Sequence, residues 1–147
     1  KGYTEASAFE RCVYGINKSL EYAAEKGVFL ALENHGGITG AAAQLLKIVK
    51  AVSPSPWFGV NLDGGNFHSD DPYAELEQIA PYAINAQVKV AIIRDSTKKK
   101  EPADLGRVIE ILRKANYRGY VVLEYEEADP YGEIPKVLAD LRKLIHG

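Results

Sequence analysis

The hydrophobic residues of the chain follow two alternating periods. Apolar positions three and four apart predict a first helix that is capped by Thr4 and ends at Lys26-Gly27. Short apolar runs predict strands over residues 28–32, 57–62, 84–90 and 120–123. Helical spacing returns after Thr39, after Asp71, over 105–115 and over 134–145. Strands that alternate with helices are typical of a parallel sheet with right-handed crossovers.

One helix followed by four strand–helix units indicates an α/β fold. The units are either half of a (β/α)₈ barrel or a small open, doubly wound sheet. The third predicted strand favours the barrel, because Asn85, Gln87 and Lys89 alternate there with apolar residues and make one face polar. An open sheet with helices on both sides is usually apolar on both. We therefore predict a single domain over residues 1–147, formed by one helix and four βα units of a half barrel.

Composition and charge exclude several classes of protein. The 147 residues are 46% hydrophobic and 26% charged, and a net charge of −2 provides no basic surface for nucleic acid. The basic run at Lys98–Lys100 is expected in a solvated, charged loop that extends from Arg94 to about Pro102. Cys12 is the one cysteine, so no disulfide framework or thiolate cluster is predicted. No apolar stretch is long enough for a membrane span, and we expect a cytoplasmic protein, although a sequence that begins at Lys1 leaves an export signal open.

Polar side chains stand at or near the ends of all four predicted strands. Glu33, Asp63 and Glu124 each follow an apolar run, and Gln87 lies on the third strand. Their spacings of 30, 24 and 37 residues correspond to one βα unit each, so the four side chains should surround one mouth of the barrel. Oxygen donors from separate strands are typical ligands of Mg²⁺ or Mn²⁺. A single acidic residue after a strand is more often a helix cap or a loop carboxylate, and it is the repetition that favours a metal site.

Two glutamates beside a metal-bound substrate would also be suited to proton transfer. One would act as base and the other as acid on opposite sides of a carbon next to a carbonyl. The metal would polarise the carbonyl and stabilise the enediolate.

Four segments of the chain resemble the second half of the xylose-isomerase-like TIM-barrel superfamily: Leu30–Gly37, Gly59–Phe67, Gln87–Val90 and Gly119–Glu126. Within it they are most similar to the proteins called sugar phosphate isomerases/epimerases. The resemblance spans the whole chain, as strands five to eight. It implies that Glu33, Asp63 and Glu124 bind the metal and that the two glutamates exchange the substrate proton. Gln87 stands in the place of a histidine ligand; a glutamine oxygen suits Mn²⁺ or Mg²⁺, with Zn²⁺ or Co²⁺ as alternatives.

Five further residues are candidates for contact with the substrate. Asn66 stands where epimerases often carry a substrate-contacting histidine, and His68 follows two residues later. His35 lies just beyond Glu33, in the loop that the glycines open. Lys89 points to the same side as Gln87, where it would bind an oxyanion or form a salt bridge with Glu33 or Glu124. Arg94, beyond the third strand, is a candidate for a substrate oxygen or phosphate.

Together these features predict a divalent-metal-dependent sugar or keto-sugar isomerase or epimerase. A related 3-keto-glycoside lyase or an inosose-type dehydratase would use the same site. A nuclease similar to endonuclease IV is disfavoured, because its trinuclear zinc site needs Asp-x-x-His and Asp-x-His pairs, and the three histidines form neither.

A non-catalytic half-barrel fragment or an assembly subunit is the rival from another class. A half barrel exposes two strand edges and an inner face. We therefore expect it to pair with the missing N-terminal half or with another copy of itself, and to have neither nucleic acid nor membrane as a partner.

Overall fold

The computed structural model describes residues 2–147. Over this range the helices are α1 (Glu5–Lys26), α2 (Ala42–Ala51), α3 (Pro72–Ile79), α4 (Leu105–Lys114) and α5 (Pro130–His146). The strands are β1 (Leu30–Glu33), β2 (Phe58–Asp63), β3 (Ala83–Val88), β4 (Ala91–Ile93), β5 (Lys100–Pro102) and β6 (Val121–Leu123). Two 3₁₀ turns cover Gly37–Thr39 and Ala80–Tyr82. The predicted order of strands and helices is confirmed, and β4 and β5 are additions to it.

Within residues 2–147, four strands form one parallel sheet in the order β1-β2-β3-β6. The register pairs Glu33 with Asn61 and Asp63 with Gln87. The carboxyl ends of the strands therefore meet at the same edge of the sheet, as the prediction of a common mouth required.

Among the residues that the structure describes, helices cover one face of this sheet and leave the other open. The buried core consists of the side chains that β2 and β3 turn towards α2, α3, α4 and α5, together with residues of those helices: Leu45, Val60, Leu62, Leu76, Ala86, Val88, Val108 and Leu112. A second cluster joins α1 and α2 to Leu30 and Leu32 of β1. The opposite face is open, with Phe29 57% and Val122 46% exposed. A sheet with helices on one side and polar side chains on the other is the half barrel of the TIM-barrel type, and the doubly wound alternative is wrong.

Helix termini follow the sequence closely at four places. Thr4 caps α1 in a capping box with Ser7, and Gly27 ends that helix in the left-handed conformation at φ 67°. The carboxylates of Asp71 and Asp104 accept main-chain N–H groups at the starts of α3 and α4. None of the helices described in residues 2–147 combines the length and the apolarity needed to cross a membrane.

Thr39 does not cap α2, which begins only at Ala42. Its hydroxyl instead accepts the N–H of His35 and donates to the carbonyl of Gly36, so it closes the loop after β1. The free N–H of Ala42 is bound at 2.6 Å by the carboxylate of Glu75, which comes from α3. The cap therefore comes from a neighbouring helix, which a local motif cannot show.

The charged loop predicted from Arg94 to Pro102 contains part of an antiparallel hairpin. β4 and β5 pair Ile93 with Lys100, and Arg94 binds Glu101 at 2.6 Å beside this pair. Each strand has only three residues, too few for a period of two to be recognised. Lys100 therefore belongs to a strand, where it also forms an ion pair with Glu127.

The last helix begins at Pro130, four residues before the predicted start at 134. Asp129 accepts the N–H of Gly132, and Pro130 occupies the first turn, where no N–H is needed. The Pro-Tyr-Gly sequence resembles a turn, which explains the late prediction. Of the apolar residues expected to be buried in this helix, Leu141 is buried, whereas Val137, Leu138 and Leu144 are partly exposed.

Candidate functional site

The four strand-end side chains meet at one point. The amide nitrogen Nε2 of Gln87 lies 2.9 Å from Oδ2 of Asp63, 2.5 Å from Oε2 of Glu124 and 3.5 Å from Oε1 of Glu33. Three of these residues lie on adjacent strands, and Glu124 follows β6, where its N–H donates to the carbonyl of Val88. Three carboxylates and one amide therefore share one side of the open face.

Asp63 is fully buried, and its main chain is fixed by Asn34. The side chain of Asn34 accepts the N–H of Asp63 at 2.8 Å and donates to its carbonyl at 3.0 Å, which joins the ends of β1 and β2. Burial raises the pKa of Asp63 to about 6, although hydrogen bonds from Gly65 and Gln87 and the charge of Lys89 act in the opposite direction. Asp63 therefore takes up a proton far more readily than an ordinary aspartate.

The two glycines after Asp63 let the loop return close to the sheet. The N–H of Gly65 donates to Oδ1 of Asp63 at 2.8 Å. A Cβ atom at Gly65 would lie 2.9 Å from the carbonyl oxygen of Ala91 and 3.0 Å from the side chain of Lys89. The absence of a side chain at this position therefore lets the loop bind the carboxylate.

Amide side chains surround Glu33. Asn61 donates to Oε2 of Glu33 at 3.0 Å and to Oε1 of Gln87 at 2.9 Å, and Asn85 donates to Oδ1 of Asn61 at 2.8 Å. Asn66 donates to Oε1 of Glu33 at 3.2 Å. Asn61 and Asn85 were not predicted as site residues, yet each lies two positions before a predicted ligand on its strand. Residues two apart on a strand point to the same face, so the positions of Asn61 and Asn85 relative to Asp63 and Gln87 were the signal that would have identified them.

Lys89 supplies a positive charge to this acidic group. Its Nζ lies 2.8 Å from Glu126, 3.5 Å from Glu124 and 4.0 Å from Asp63, so it contacts one of the two glutamates expected and also Glu126. Burial lowers the pKa of the Lys89 amine, but the hydrogen bond with Glu126 and the nearby carboxylates outweigh this effect and raise it. The same hydrogen bond lowers the pKa of Glu126.

The remaining predicted substrate contacts are less closely grouped. His35 and His68 are exposed, and His35 is near enough to Glu126 to contribute, after Lys89 and Lys100, to its lowered pKa. Arg94 binds Glu101 and, at 2.5 Å, the carbonyl of Asp70. Its described contacts therefore join the β4–β5 hairpin to the loop before α3. Asn66 and Lys89 are thus the two that directly contact the strand-end carboxylates.

The donor types at this site are those that a hard divalent cation prefers. Asp63, Glu124 and Glu126 lie within 4.0 Å of the Lys89 amine, and Glu33, Asp63 and Glu124 all accept from the Gln87 amide. Four carboxylates near a single lysine leave an excess of negative charge, which suits a hard cation. In the arrangement described for residues 2–147, however, no three acidic, histidine or cysteine side chains are grouped so that they could hold a metal ion. The side-chain nitrogen of Gln87 faces the three carboxylates. To bind a metal ion at that point, Gln87 would have to turn its side-chain oxygen there instead.

Comparison with known proteins agrees with this architecture. The family model described as a xylose isomerase-like TIM barrel matches residues 1–144. The solved xylose isomerase domain protein from Planctomyces limnophilus is 22% identical, with 90% of this chain and 53% of that one aligned at a TM-score of 0.69. The apo 3-keto-D-glucoside 4-epimerase from E. coli is 18% identical, with 97% of this chain and 56% of that one aligned at a TM-score of 0.75.

At these identities the two structures show a shared fold, and the chain spans about half the length of each. Among curated proteins, no sequence match to the chain is found.

Proposed function

The chain belongs to the xylose isomerase-like TIM-barrel family, and from this premise we propose that it carries the reaction site of a divalent-metal-dependent sugar or keto-sugar isomerase or epimerase. One observation carries the proposal. Glu33 and Glu124 come from the two outer strands of the sheet, and both reach the Gln87 amide between them. Two carboxylates that approach one point from opposite edges of the four-stranded sheet are suited to transfer a proton across a small substrate.

The carboxylates of Glu33, Asp63 and Glu124 would hold the metal. Their hard oxygen donors favour Mn²⁺ or Mg²⁺ over Zn²⁺ or Co²⁺, because no histidine is among them. When bound, such an ion would polarise a substrate carbonyl and so make the neighbouring proton easier to remove.

The protein's own residues would perform the proton transfer. One glutamate takes the proton from the carbon next to the carbonyl and leaves an enediolate. In an epimerase the other glutamate gives a proton to the opposite face of the same carbon. In an isomerase a proton moves between the two enediolate oxygens and a glutamate gives a proton to the former carbonyl carbon, so that the carbonyl moves by one carbon. Asn61 and Asn66 hold the carboxylate of Glu33, while Gln87 and Lys89 hold that of Glu124. Asn66 and Lys89 are the best placed of the proposed substrate contacts, with His35, His68 and Arg94 further out. A lyase or dehydratase would begin with the same proton abstraction, and product analysis separates these reactions.

The test is Glu33→Gln and Glu124→Gln, with Glu110→Gln on the exposed side of α4 as the matched control. We expect each site variant to weaken Mn²⁺ binding by about tenfold or more. In a preparation in which the open face is covered by the second half of the barrel, NMR in deuterated water measures exchange of the substrate C–H proton for a panel of keto-sugars. This exchange should slow by roughly 10²–10⁴-fold in each site variant. If both variants bind Mn²⁺ as tightly as the parent protein, the metal site is elsewhere or absent.

A second part of the proposal concerns the open face. Over residues 2–147 the sheet ends in two edge strands, β1 and β6, that have no further strand beside them. Its inner side has a trough of about 620 Å³ that Phe29, Ala31 and Asn85 help to line. We propose that an N-terminal half barrel or a second copy of the chain covers this face in the active protein, and that the reaction takes place in the cytoplasm.

A further inference from the structure

We propose that Asn61 is a positioning residue that determines which end of the Gln87 side chain faces the three carboxylates. In this arrangement Gln87 donates N–H groups to the carboxylates and is not an oxygen ligand of the metal. The inference rests on the proposed function where it concerns the metal. The orientation of the amide can be tested without any metal.

The direction of the hydrogen bonds is set by Glu33. A carboxylate only accepts hydrogen bonds, so Asn61 must turn its nitrogen towards Oε2 of Glu33, 3.0 Å away. The same nitrogen lies 2.9 Å from Oε1 of Gln87, and its second hydrogen is directed there. Asn85 donates to Oδ1 of Asn61 at 2.8 Å. Both donors of Asn61 are therefore used, and its oxygen is occupied.

A reversed Gln87 would conflict with this chain of amides. Its nitrogen would then face the nitrogen of Asn61, donor against donor. Turning Asn61 as well would place its oxygen beside the Glu33 carboxylate and its nitrogen beside that of Asn85. Each alternative leaves unsatisfied contacts between partly buried groups, and such contacts are unfavourable.

The consequence for the site is a change in the role of position 87. The N–H groups of Gln87 contact Asp63, Glu124 and Glu33, and so reduce the repulsion among three carboxylates. An ion at this point would take its protein oxygens from the three acidic residues. Replacing Gln87 should therefore affect metal affinity far less than replacing a ligand would.

Mn²⁺ titration of four proteins tests this: the parent, Gln87→Met, Asn61→Asp and the double variant. Methionine has nearly the length of glutamine but lacks the amide. With Asn61 present, we expect Gln87→Met to weaken Mn²⁺ binding by less than roughly threefold, because no ligand is lost. An aspartate at position 61 only accepts, so Gln87 should turn its nitrogen to it and its oxygen to the ion. Gln87→Met should then weaken binding by about tenfold.

Each comparison keeps the net charge constant, because both members of a pair carry the same residue at position 61. A tenfold loss on Gln87→Met with Asn61 present would overturn the inference. An equal effect of Gln87→Met in both backgrounds would also overturn the role of Asn61.

A second measurement uses the metal-free protein and does not depend on Asn61→Asp folding. The side-chain amide signals of Gln87, assigned by their loss in Gln87→Met, should show one proton shifted downfield by a carboxylate. In Asn61→Leu these signals should move towards those of exposed Gln78. Unchanged signals in Asn61→Leu would contradict the positioning role. If no variant binds Mn²⁺ but the signals behave as expected, the proposed function fails while this inference stands.

Discussion

Among the described residues, Asp63 is the fully buried carboxylate, and its ionised form is unfavourable in the metal-free fold. Its environment does not compensate for the water it has lost. Gly65, Gln87 and Lys89 stabilise the charge, yet burial still raises the pKa from 3.8 to about 6. A buried acid of this kind stores free energy that a bound cation would release, since the cation favours the ionised form.

This shift predicts a pH-dependent cost of Asp63 in the presence of EDTA. Well below pH 3.8 Asp63 is protonated in the folded and unfolded chains, whereas well above pH 6 it is ionised in both and the folded chain carries the full cost of the charge. A rise of about two units corresponds to about 3 kcal/mol. The free energy of unfolding of Asp63→Asn, relative to the parent, should therefore increase between pH 4 and 6 and then level off.

Chemical denaturation at a series of pH values measures this difference. Asp140→Asn, on the exposed side of α5, is the matched control for the loss of one carboxylate. A difference between Asp63→Asn and the parent that stays constant from pH 4 to 8 would contradict the predicted burial of the charge.

The sequence identified the candidate residues that interrupt an apolar run, but not the residues that contact and support them. Glu33, Asp63 and Glu124 stand out because each ends a hydrophobic strand. Asn34 lies beside Glu33 in the chain, but its role depends on the position of β2. Its side chain binds the main-chain N–H and carbonyl of Asp63 at the end of that strand. The direction of the hydrogen bonds among the side-chain amides likewise depends on distances between strands. These distances cannot be inferred from a single sequence.

At the scale of elements, the packing of strand β2 against β3 depends on Gly59, where the two strands approach closely. A Cβ atom at Gly59 would lie 2.5 Å from Cγ2 of Ile84 and 2.8 Å from the carbonyl oxygen of Tyr82. The register between β2 and β3 shifts just beyond this point, between Val60 and Asn61. The close approach therefore helps to set the position of Asn61 relative to β3.

We predict that Gly59→Ala destabilises the protein by about 1–3 kcal/mol, because the added methyl group forces β2 and β3 apart. Gly15→Ala is the control, since nothing lies within 4 Å of its Cβ position in α1. That control should stabilise the protein by up to about 1 kcal/mol through helix propensity. Thermal unfolding measures both, and equal effects of the two substitutions would show that β2 tolerates a side chain at position 59.

The N-terminus of α2 provides a second prediction at this scale. Glu75 binds the N–H of Ala42 at 2.6 Å, and no side chain of the α2 segment caps that helix. Glu75→Ala should therefore cost about 1 kcal/mol of stability, the usual effect of losing a helix cap. Glu77→Ala, two residues further along α3, loses the same group at an exposed position and should cost less. Similar losses in both variants would mean that the contact between α2 and α3 contributes little.

The main elements could be predicted because each has a long periodic pattern. Short strands and contacts between residues far apart in the chain could not be predicted. Helix α1 and the four parallel strands were found because their patterns extend over whole elements. The β4–β5 hairpin was missed because it has three residues per strand and many charges. Thr39 was assigned as a cap from its residue type alone, whereas the group that binds the start of α2 lies 33 residues away.

At the scale of the whole molecule, the sheet has an inner face that residues 2–147 do not cover. Phe29 and Val122 lie exposed on that face, and strands β1 and β6 have free edges. The solved structures that it resembles are almost twice as long, with 53% and 56% of their length aligned. A keto-sugar bound at the carboxylates would thus contact protein on one side and water on the other. Water competes with the substrate for the carboxylates and weakens electrostatic catalysis.

We therefore predict that metal-dependent proton exchange on a ketose requires a complete barrel. Phe29→Lys and Val122→Lys place charges on the inner face, and Tyr14→Lys, at an exposed position on α1, is the control. Analytical ultracentrifugation should show that the two inner-face variants lose association with a second copy, or with an added N-terminal half, and that the control does not. Exchange activity should be lost with association, because the ordered environment of the substrate is lost with it. Proton exchange by a species that sediments as a monomer of this chain would contradict the requirement for the second half.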